Sequence, residues 1–393
     1  MTPSMTKDDG ARVMCPTCLH EFGWNTDQTL YTRSPSGQYV PIEQEAGESD
    51  ADLRDRKLGA WKRCPHSERA GPDPHFLPAR YGAYGPPLII AFVGGRGAGK
   101  SHLLAAMINE IDLGGLYALG ASAEPLDPDQ HDDYLAQYVT PLFASGRAID
   151  PTQTNIDEAT RFLDGFVLSY GSTTQTVVFF DISGEVLGRR RVEGNRFMLA
   201  VDAMIVVADW DRERPGSDPH QDAAVTWAIR RLQNQETERR ENHEPERPVP
   251  VAIVINKCDE VRFEDPVLRW LRRPPLSAFR TVRMPDRPLL WQESRDAYAF
   301  LFQRGMHAWL RPYAAFRQAT LHFVSATGTQ GVPGTDEFGT EFVDFSRGVR
   351  PKRVLDPLVS ILAMSGMFGP AARRIGIWPS PPEPDGAAGD GAS

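Results

Sequence analysis

A chain of 393 residues, 41% of them hydrophobic, has enough apolar mass for one large α/β domain and an accessory module. Acidic residues outnumber basic ones 52 to 43, for a formal net charge of −9, a balance that argues against a general nucleic-acid binder. No apolar run approaches the roughly 18 residues a membrane-spanning helix needs, and the polar N-terminus has no secretory core, so a cytoplasmic location is expected.

Residues 1–80 form the first unit. They hold three of the four cysteines, an acidic stretch from Glu43 to Asp55 and little hydrophobic periodicity. Cys15-Pro-Thr-Cys18 followed by Cys64-Pro-His66 resembles the two knuckles of a zinc ribbon. A C-x₂-C pair on a tight turn presents two thiolates to one tetrahedral ion, and a second pair completes the site. Paired cysteines in a reducing compartment are metal ligands more often than disulfides. The expected Zn²⁺ ligands are Cys15, Cys18, Cys64 and His66. A usual second knuckle ends at Ser67, so His20 and His75 stand as alternatives for the fourth position. Such a module needs its metal to fold and would serve for docking.

A Pro/Gly-rich hinge at 81–87 leads into Leu88–Val93, an apolar run suited to a strand buried on both faces. Similar runs recur at Thr176–Asp181, Ala203–Asp209, Val251–Asn256 and Leu321–Ser325. Helix-like segments lie between them at Lys100–Ile111, Arg190–Val201, Asp222–Arg240 and Ser294–Thr320. The alternation predicts an α/β fold with a doubly wound, mostly parallel sheet over 88–369. Inserts fall near 121–175, with helix-like stretches at Asp129–Ser145 and Ile156–Ser169, and near 260–292. A helix at Val354–Ser365 closes the domain, and the Pro/Gly/Ala-rich stretch 370–393 reads as a disordered tail.

The first buried strand runs into Gly94-Gly95-Arg96-Gly97-Ala98-Gly99-Lys100-Ser101, which fits the P-loop pattern G-x-x-x-x-G-K-[ST] with a strand before it and a helix after. Glycines let backbone N–H groups wrap phosphates, and the helix N-terminus adds partial positive charge. Lys100 would reach the β and γ phosphates, and Ser101 would ligate Mg²⁺.

Three later signals choose the base, each at the C-terminal end of a predicted strand, where open α/β sheets bind ligands. Asp181-Ile-Ser-Gly184-Glu185 is a D-x-x-G, with Asp181 toward Mg²⁺ and the Gly184 N–H toward the γ-phosphate. Asn256-Lys257-Cys258-Asp259 is an N-K-x-D, whose carboxylate accepts from two guanine nitrogens and finds no matching donors on adenine. Ser325-Ala326-Thr327 offers backbone donors to the guanine O6. Buried hydrogen bonds of this kind discriminate by roughly 10⁴ or more. Cys258 sits inside the motif and is not counted as a metal ligand.

Together these residues resemble the TRAFAC class of GTPases over Leu88 to Gly366. The resemblance implies GTP/GDP binding, Mg²⁺ dependence and conformational switching. Three departures bear on rate. The switch threonine must come from the long segment between Gly114 and Thr176, with Thr154 and Thr152 as first choices and Thr173 and Thr174 as rivals. Glu185 stands where Ras-like enzymes carry a water-orienting Gln, and its charge near the γ-phosphate predicts slow hydrolysis. Arg96 stands where those proteins have a glycine, either as a charge stabiliser in cis or as an obstacle to a partner's arginine finger, and Arg189-Arg190-Arg191 is a further cation source.

The stretch Val261–Trp291 is rich in arginine with interleaved aromatics. It reads as a solvated insertion or as a surface for an acidic protein or a phosphate backbone. A zinc-ribbon-like module ahead of a GTPase domain resembles the second member of the prokaryotic double-GTPase pairs of conflict systems, which implies a protein partner that is itself a GTPase. Two other readings stand beside the regulatory GTPase: a scaffold that senses GTP without hydrolysing it, and an ATP-using P-loop protein.

Overall fold

The computed structural model describes residues 11–25, 29–34, 37–43, 47–66, 74–95, 97–149, 162–183, 200–208, 229–230, 232, 234, 249–274, 287–335 and 341–376. The N-terminal unit makes strands from short segments in place of sustained periodicity. β1 (Arg12–Met14) and β2 (Glu21–Gly23) form an antiparallel hairpin. β3 (Tyr31–Arg33), β4 (Tyr39–Pro41), β5 (Trp61–Arg63) and β6 (Phe76–Pro78) form a second sheet, in the order β4-β3-β5-β6. Between β4 and β5 lies α1 (Asp50–Leu58), capped by the Ser49 side chain, which accepts from the Asp52 amide.

The main sheet begins with β7 (Leu88–Gly94), buried at every position. Its alternate residues face opposite sides and both sets are apolar, with Leu88, Ile90 and Phe92 in one core and Ile89, Ala91 and Val93 in the other. A strand apolar on both faces belongs in the middle of a covered sheet. There follow α2 (Lys100–Asp112), β8 (Ala121–Pro125), α3 (Pro128–Tyr134), α4 (Thr140–Ala144), β9 (Phe162–Tyr170), β10 (Thr173–Ser183), β11 (Ala203–Ala208), β12 (Val251–Ile255) and α5 (Val267–Leu271). Then come α6 (Arg287–Gln303), α7 (Arg311–Ala315), β13 (Ala319–Phe323), the hairpin β14 (Val332–Thr335) and β15 (Glu341–Asp344), and α8 (Asp356–Ser365). The strand order is β13-β12-β11-β7-β10-β9-β8. Pairing is parallel from β13 through β10 and antiparallel at β9 and β8. This is the expected α/β architecture with a mostly parallel sheet. α2 and α8 cover one face. α6 and the N-terminal unit pack on the other, where Val13, Trp24 and Tyr81 share a core with Ile89, Ala91 and Val93.

Three expected elements come out differently. The stretch Ile156–Ser169, read as helix-like, is strand from Phe162 onward. Gly171, at φ +58°, turns the chain so that Tyr170 faces Thr173 across a two-residue hairpin. The long helix expected at Ser294–Thr320 starts earlier, at Arg287, and stops at Gln303, because Gly305 takes a left-handed φ of +68°. Beyond it come a 3-10 turn at His307–Leu310 and the short α7, and only Ala319 and Thr320 of the expected helix fall in the buried strand β13. The outward amides of β13 are taken up by α6: Leu321 donates to the Ser294 hydroxyl and Phe323 to the Glu293 carboxylate, both at 3.0 Å. Those bonds close a sheet edge that backbone groups would otherwise leave open. The expected tail from 370 is ordered through Gly376, whose carbonyl accepts from the Ala319 amide at 3.2 Å, with Ile375 buried. Residues 377–393, most of Arg190–Val201 and most of Asp222–Arg240 lie outside the described residues.

Candidate functional site

β7 pairs in parallel with β10 on one side and β11 on the other, so its C-terminal end is the switch point of the sheet, where open α/β folds form a ligand crevice. The phosphate-loop pattern falls there. At Gly94, a Cβ would lie 2.5 Å from the Val207 carbonyl oxygen of the neighbouring strand. Gly97 and Gly99 hold φ of +78° and +84°, a backbone region open to glycine and costly for other residues. The loop so bent delivers the N-terminus of α2, which is anchored by Leu103, Leu104 and Met107 in the core and has Lys100 and Ser101 in its first turn. Lys100 Nζ donates to the carbonyls of Gly94 at 3.1 Å and Gly95 at 3.2 Å, which holds the ammonium against the loop. Arg96 lies outside the described residues.

Asn256 follows β12 and is 1% exposed. Its amide nitrogen donates to the carbonyls of Ala98 at 3.0 Å and Gly99 at 3.3 Å, and its oxygen accepts from the Ala326 amide at 3.1 Å. One side chain thus clamps the phosphate loop to the loop that follows β13. Lys257, at φ +58°, turns the chain so that Asp259 meets that same loop, where the Ser325 hydroxyl donates to its carboxylate. Ser325 also accepts from the Gly328 amide at 2.8 Å. Cys258 points the other way; its thiol donates to the Ile255 carbonyl at 3.0 Å, and burial pushes its pKa well up.

Asp181 lies in β10 opposite Phe92 of β7, at the same end of the sheet as the phosphate loop. Its side chain, together with Gly184, Glu185, Arg189–Arg191, Thr152 and Thr154, lies outside the described residues. Thr173 and Thr174 open β10 at its other end, in the hairpin with β9. At about 3.3 Å per residue, Thr174 is roughly 23 Å from Asp181, too far to share an ion with it. That geometry removes them as rivals for the switch threonine.

Two features here had no signal in the motifs. The first is His102, one residue past Ser101. Its Nε2 accepts from the Ile149 amide at 3.2 Å and its ring meets Phe345 edge-on at 5.9 Å. Burial first, then the charge of Lys257, lowers its pKa from 6.5 to about 4, which keeps Nε2 free to accept. The second is a buried ion network behind the third loop. Arg353 gives two parallel bonds to Glu293, at 2.6 and 2.8 Å, and Nε donates to Asp356 at 2.8 Å. His322 Nδ1 lies 3.4 Å from Glu293. Burial alone would push the Glu293 carboxyl up, but the Arg353 guanidinium and His322 outweigh it and bring it down to about 2.

A separate cluster gathers in the N-terminal unit. The ligand atoms of Cys15, Cys18, Cys64 and His75 all lie within 4.8 Å of one another, and Cys18 Sγ is 3.7 Å from Cys64 Sγ. No disulfide joins them. The fourth member is His75 and not His66. Antiparallel pairing of β5 with β6 continues past Arg63 and Phe76, and the Cys64 amide donates to the His75 carbonyl at 3.1 Å, so the two residues face each other. His66 instead packs its ring 5.2 Å from that of His20, which is bonded to the Cys18 carbonyl at 2.8 Å. The residues fit a tetrahedral ion on two counts. With bonds of about 2.3 Å, the vertices of a thiolate site stand roughly 3.8 Å apart. Both ring nitrogens of His75 are buried with no hydrogen-bond partner, a costly state that a metal bond would relieve. Hydrogen bonds from the Cys15 and Cys64 thiols pull the Cys18 titration down, favouring a thiolate at the centre of the group.

Several arginines of the insert are taken up within the chain. Arg273 lies over the buried Trp270 ring at 4.4 Å, Arg262 over Phe263 at 4.9 Å, and Arg269 pairs with Asp296 at 3.1 Å. Among the described residues no helix is long and apolar enough to cross a membrane.

No protein-family model matches the chain, and no curated protein does. Among solved structures it matches sup35 complexed with GDP, at 13% identity and TM-score 0.26, over 62% of this chain and 38% of that one. It also matches the S. cerevisiae Ski7 GTPase-like domain bound to GDP and inorganic phosphate, at 13% identity and TM-score 0.30, over 61% of this chain and 42% of that one. The chain thus spans less than half the length of these structures, and likeness at this level adds no weight to the geometry of the loops. That geometry describes a mixed α/β protein with a seven-stranded, mostly parallel sheet, a phosphate-loop sequence at its switch point and a Cys₃His cluster on its N-terminal side.

Proposed function

We propose that this chain is a guanine-nucleotide switch that binds GTP and GDP with Mg²⁺ and hydrolyses GTP slowly. The observation that carries the reading is the Asn256 clamp, which ties the phosphate loop at Ala98 to Ala326 and leaves Asp259 beside Ser325 at the same sheet end. In this reading the amides of Gly95, Gly97, Ala98 and Gly99 hold the phosphates and Lys100 neutralises their charge. Ser101 and Asp181 are the oxygen donors for Mg²⁺, a donor set suited to a hard dication. Lys257 flanks the base, Asp259 accepts from it, and the amides of Ser325, Ala326 and Thr327 face its O6. When bound, Mg²⁺ supplies charge neutralisation on the phosphates.

Hydrolysis needs a positioned water and stabilised charge on the γ-phosphate. We assign the first to Glu185, with Gly184 on the phosphate, and the second to Arg96, with Thr154 closing over the ion. The carboxylate opposes its own task by charge, hence the low intrinsic rate. Regulation by a protein partner follows, and the module order favours a second GTPase in a prokaryotic defence or signalling system, in the cytoplasm. The Cys15–Cys18–Cys64–His75 cluster holds Zn²⁺ in a closed, structural site.

Glu185 also favours a second reading, a scaffold that senses GTP without turning it over. One set of titrations with fluorescent GDP, GTP and ATP, with and without Mg²⁺, tests the proposal, and single-turnover phosphate release separates the two readings. Equal affinity for ATP and GTP would overturn both and point to an ATP-using P-loop protein.

A further inference from the structure

The loop from Ser325 to Thr327 is one side of a short antiparallel ladder. Ser325 and Lys352 exchange amide–carbonyl bonds at 3.1 and 2.8 Å, and the Arg350 amide donates to the Thr327 carbonyl at 2.7 Å. Gly328 sits so close to the other side that a Cβ would fall 1.8 Å from the Arg350 carbonyl oxygen. The placement of Ser325 against Asp259 therefore depends on where residues 350–352 are held.

Both sides of the ladder end in the same buried carboxylate. Glu293, on α6, accepts from the Phe323 amide at 3.0 Å, two residues before Ser325. It also accepts both terminal nitrogens of Arg353, one residue after Lys352, at 2.6 and 2.8 Å. Asp356 takes the remaining face of the guanidinium, and the Trp270 ring lies 5.5 Å from it. Arg353 holds φ at +60°, which a residue with a side chain adopts only at a cost. An ion network of this kind contributes little stability over a well-packed apolar cluster. What a bidentate pair does supply is direction, since two parallel bonds fix the angle as well as the distance.

We infer that Arg353 and Glu293 are positioning residues for base recognition, holding Ser325, and through it the Asp259 carboxylate, at the angle that reads the guanine amine. The inference rests on the reading of Asp259 proposed above. It predicts that loosening the network erodes selectivity between bases before it erodes binding of the phosphates.

The test is a competition titration of GDP against IDP, which lacks the exocyclic amine, on full-length protein with Mg²⁺. Arg353→Met should lower the GDP-over-IDP ratio about tenfold, the range of one charge-assisted hydrogen bond, while IDP affinity stays within about threefold of the parent. Arg353→Lys, which restores a charge but not the bidentate geometry, should recover part of the ratio. Glu293→Gln keeps the volume and an oxygen for the Phe323 amide, and decides the matter if Arg353→Met fails to fold. An unchanged ratio in either folded variant overturns the inference, whatever happens to the melting temperature. Asp259→Asn is measured alongside. If it too leaves the ratio unchanged, the guanine reading has failed; if it collapses the ratio while the network variants keep it, only the positioning role falls.

Discussion

The Cβ that Gly99 lacks would lie 2.5 Å from the Asn256 side-chain nitrogen, which itself donates to the carbonyls of Ala98 and Gly99. The phosphate loop and the loop after β12 are thus fitted to each other at one point, with a backbone φ of +84° that already calls for glycine. Gly99→Ala should strain the loop and displace Asn256 together. Calorimetry should show GDP and GTP affinity falling by more than about tenfold, with the parent's circular dichroism retained. Lys100→Ala should lose triphosphate more than diphosphate. Parent-like binding by both variants would remove this loop from the function.

Asp259→Asn should weaken GTP and raise the relative affinity for xanthine nucleotides, because an amide presents a donor where guanine also donates. The expected swing in preference is on the order of a hundredfold or more. Competition with XDP reads it directly, and an unaltered preference would mean that Asp259 does not meet the base.

The motif residues were legible because each has local chemistry. Glycines bend the phosphate loop, and N-K-x-D and S-A-T sit where buried apolar runs end. What stayed open or hidden was set by pairing. Among His66, His20 and His75, it is His75 that joins the cysteines, because β6 lies against β5, and the turn at Gly171 converts the supposed helix before it into β9. Arg353, Glu293 and His102 carry no motif. Glu293 and Arg353 are 60 residues apart and meet only once α6 covers β13. The strand expected at Leu321–Ser325 starts two residues earlier, at Ala319, where burial outweighs the helical reading of Ala319 and Thr320.

The metal centre makes a sharper distinction between two histidines. His75→Ala and Cys64→Ser should each release zinc from a chain that otherwise carries one ion, whereas His66→Ala should keep it. Elemental analysis of protein purified without chelator reads the stoichiometry, and Co²⁺ substitution reads the thiolate count by its charge-transfer bands. Zinc-free parent protein, or loss of metal on His66→Ala alone, would sink the assignment.

Turnover should depend on Glu185 more than affinity does. We expect Glu185→Gln to change the single-turnover rate by about tenfold or more, with GTP affinity within about threefold. Brisk hydrolysis by the parent, unaffected by this substitution, would show that another group holds the water.

Stability should have a two-stage acid limb. His102 has a folded pKa below its ordinary value, about 4 against 6.5, so the folded state takes up its proton late. Its contribution is complete above pH 6.5 and lost as pH falls toward 4, on the order of 2 kcal/mol after allowing for contact with solvent. Glu293, at about 2 against 4.5, adds stability above pH 4.5 that is lost as pH falls toward 2. Urea melts between pH 8 and 3 should therefore show the His102 loss below 6.5 set against an opposing gain from His131, where burial is outweighed by the bond to Asp164 and the pKa is raised. His102→Gln, which can still accept from Ile149, should remove the His102 loss alone. A His102→Gln curve that runs parallel to the parent's between pH 6.5 and 4 would contradict the state assigned to His102.

The junction at residues 80–82 bears on how this protein can be divided. The Tyr81 hydroxyl donates to the Met14 carbonyl at 2.9 Å, and Gly82 has Trp24 where a Cβ would go, at 2.5 Å. The Arg80 carbonyl takes a bond from Thr176 of β10 at 3.0 Å. Cutting the gene at the Pro/Gly stretch would not separate two self-sufficient pieces. It would strip the lid from Ile89, Ala91 and Val93 and leave a sticky face on the longer fragment. The described residues of the N-terminal unit are better regarded as one wall of the larger domain, and the unit is to be expressed, crystallised and engineered with it.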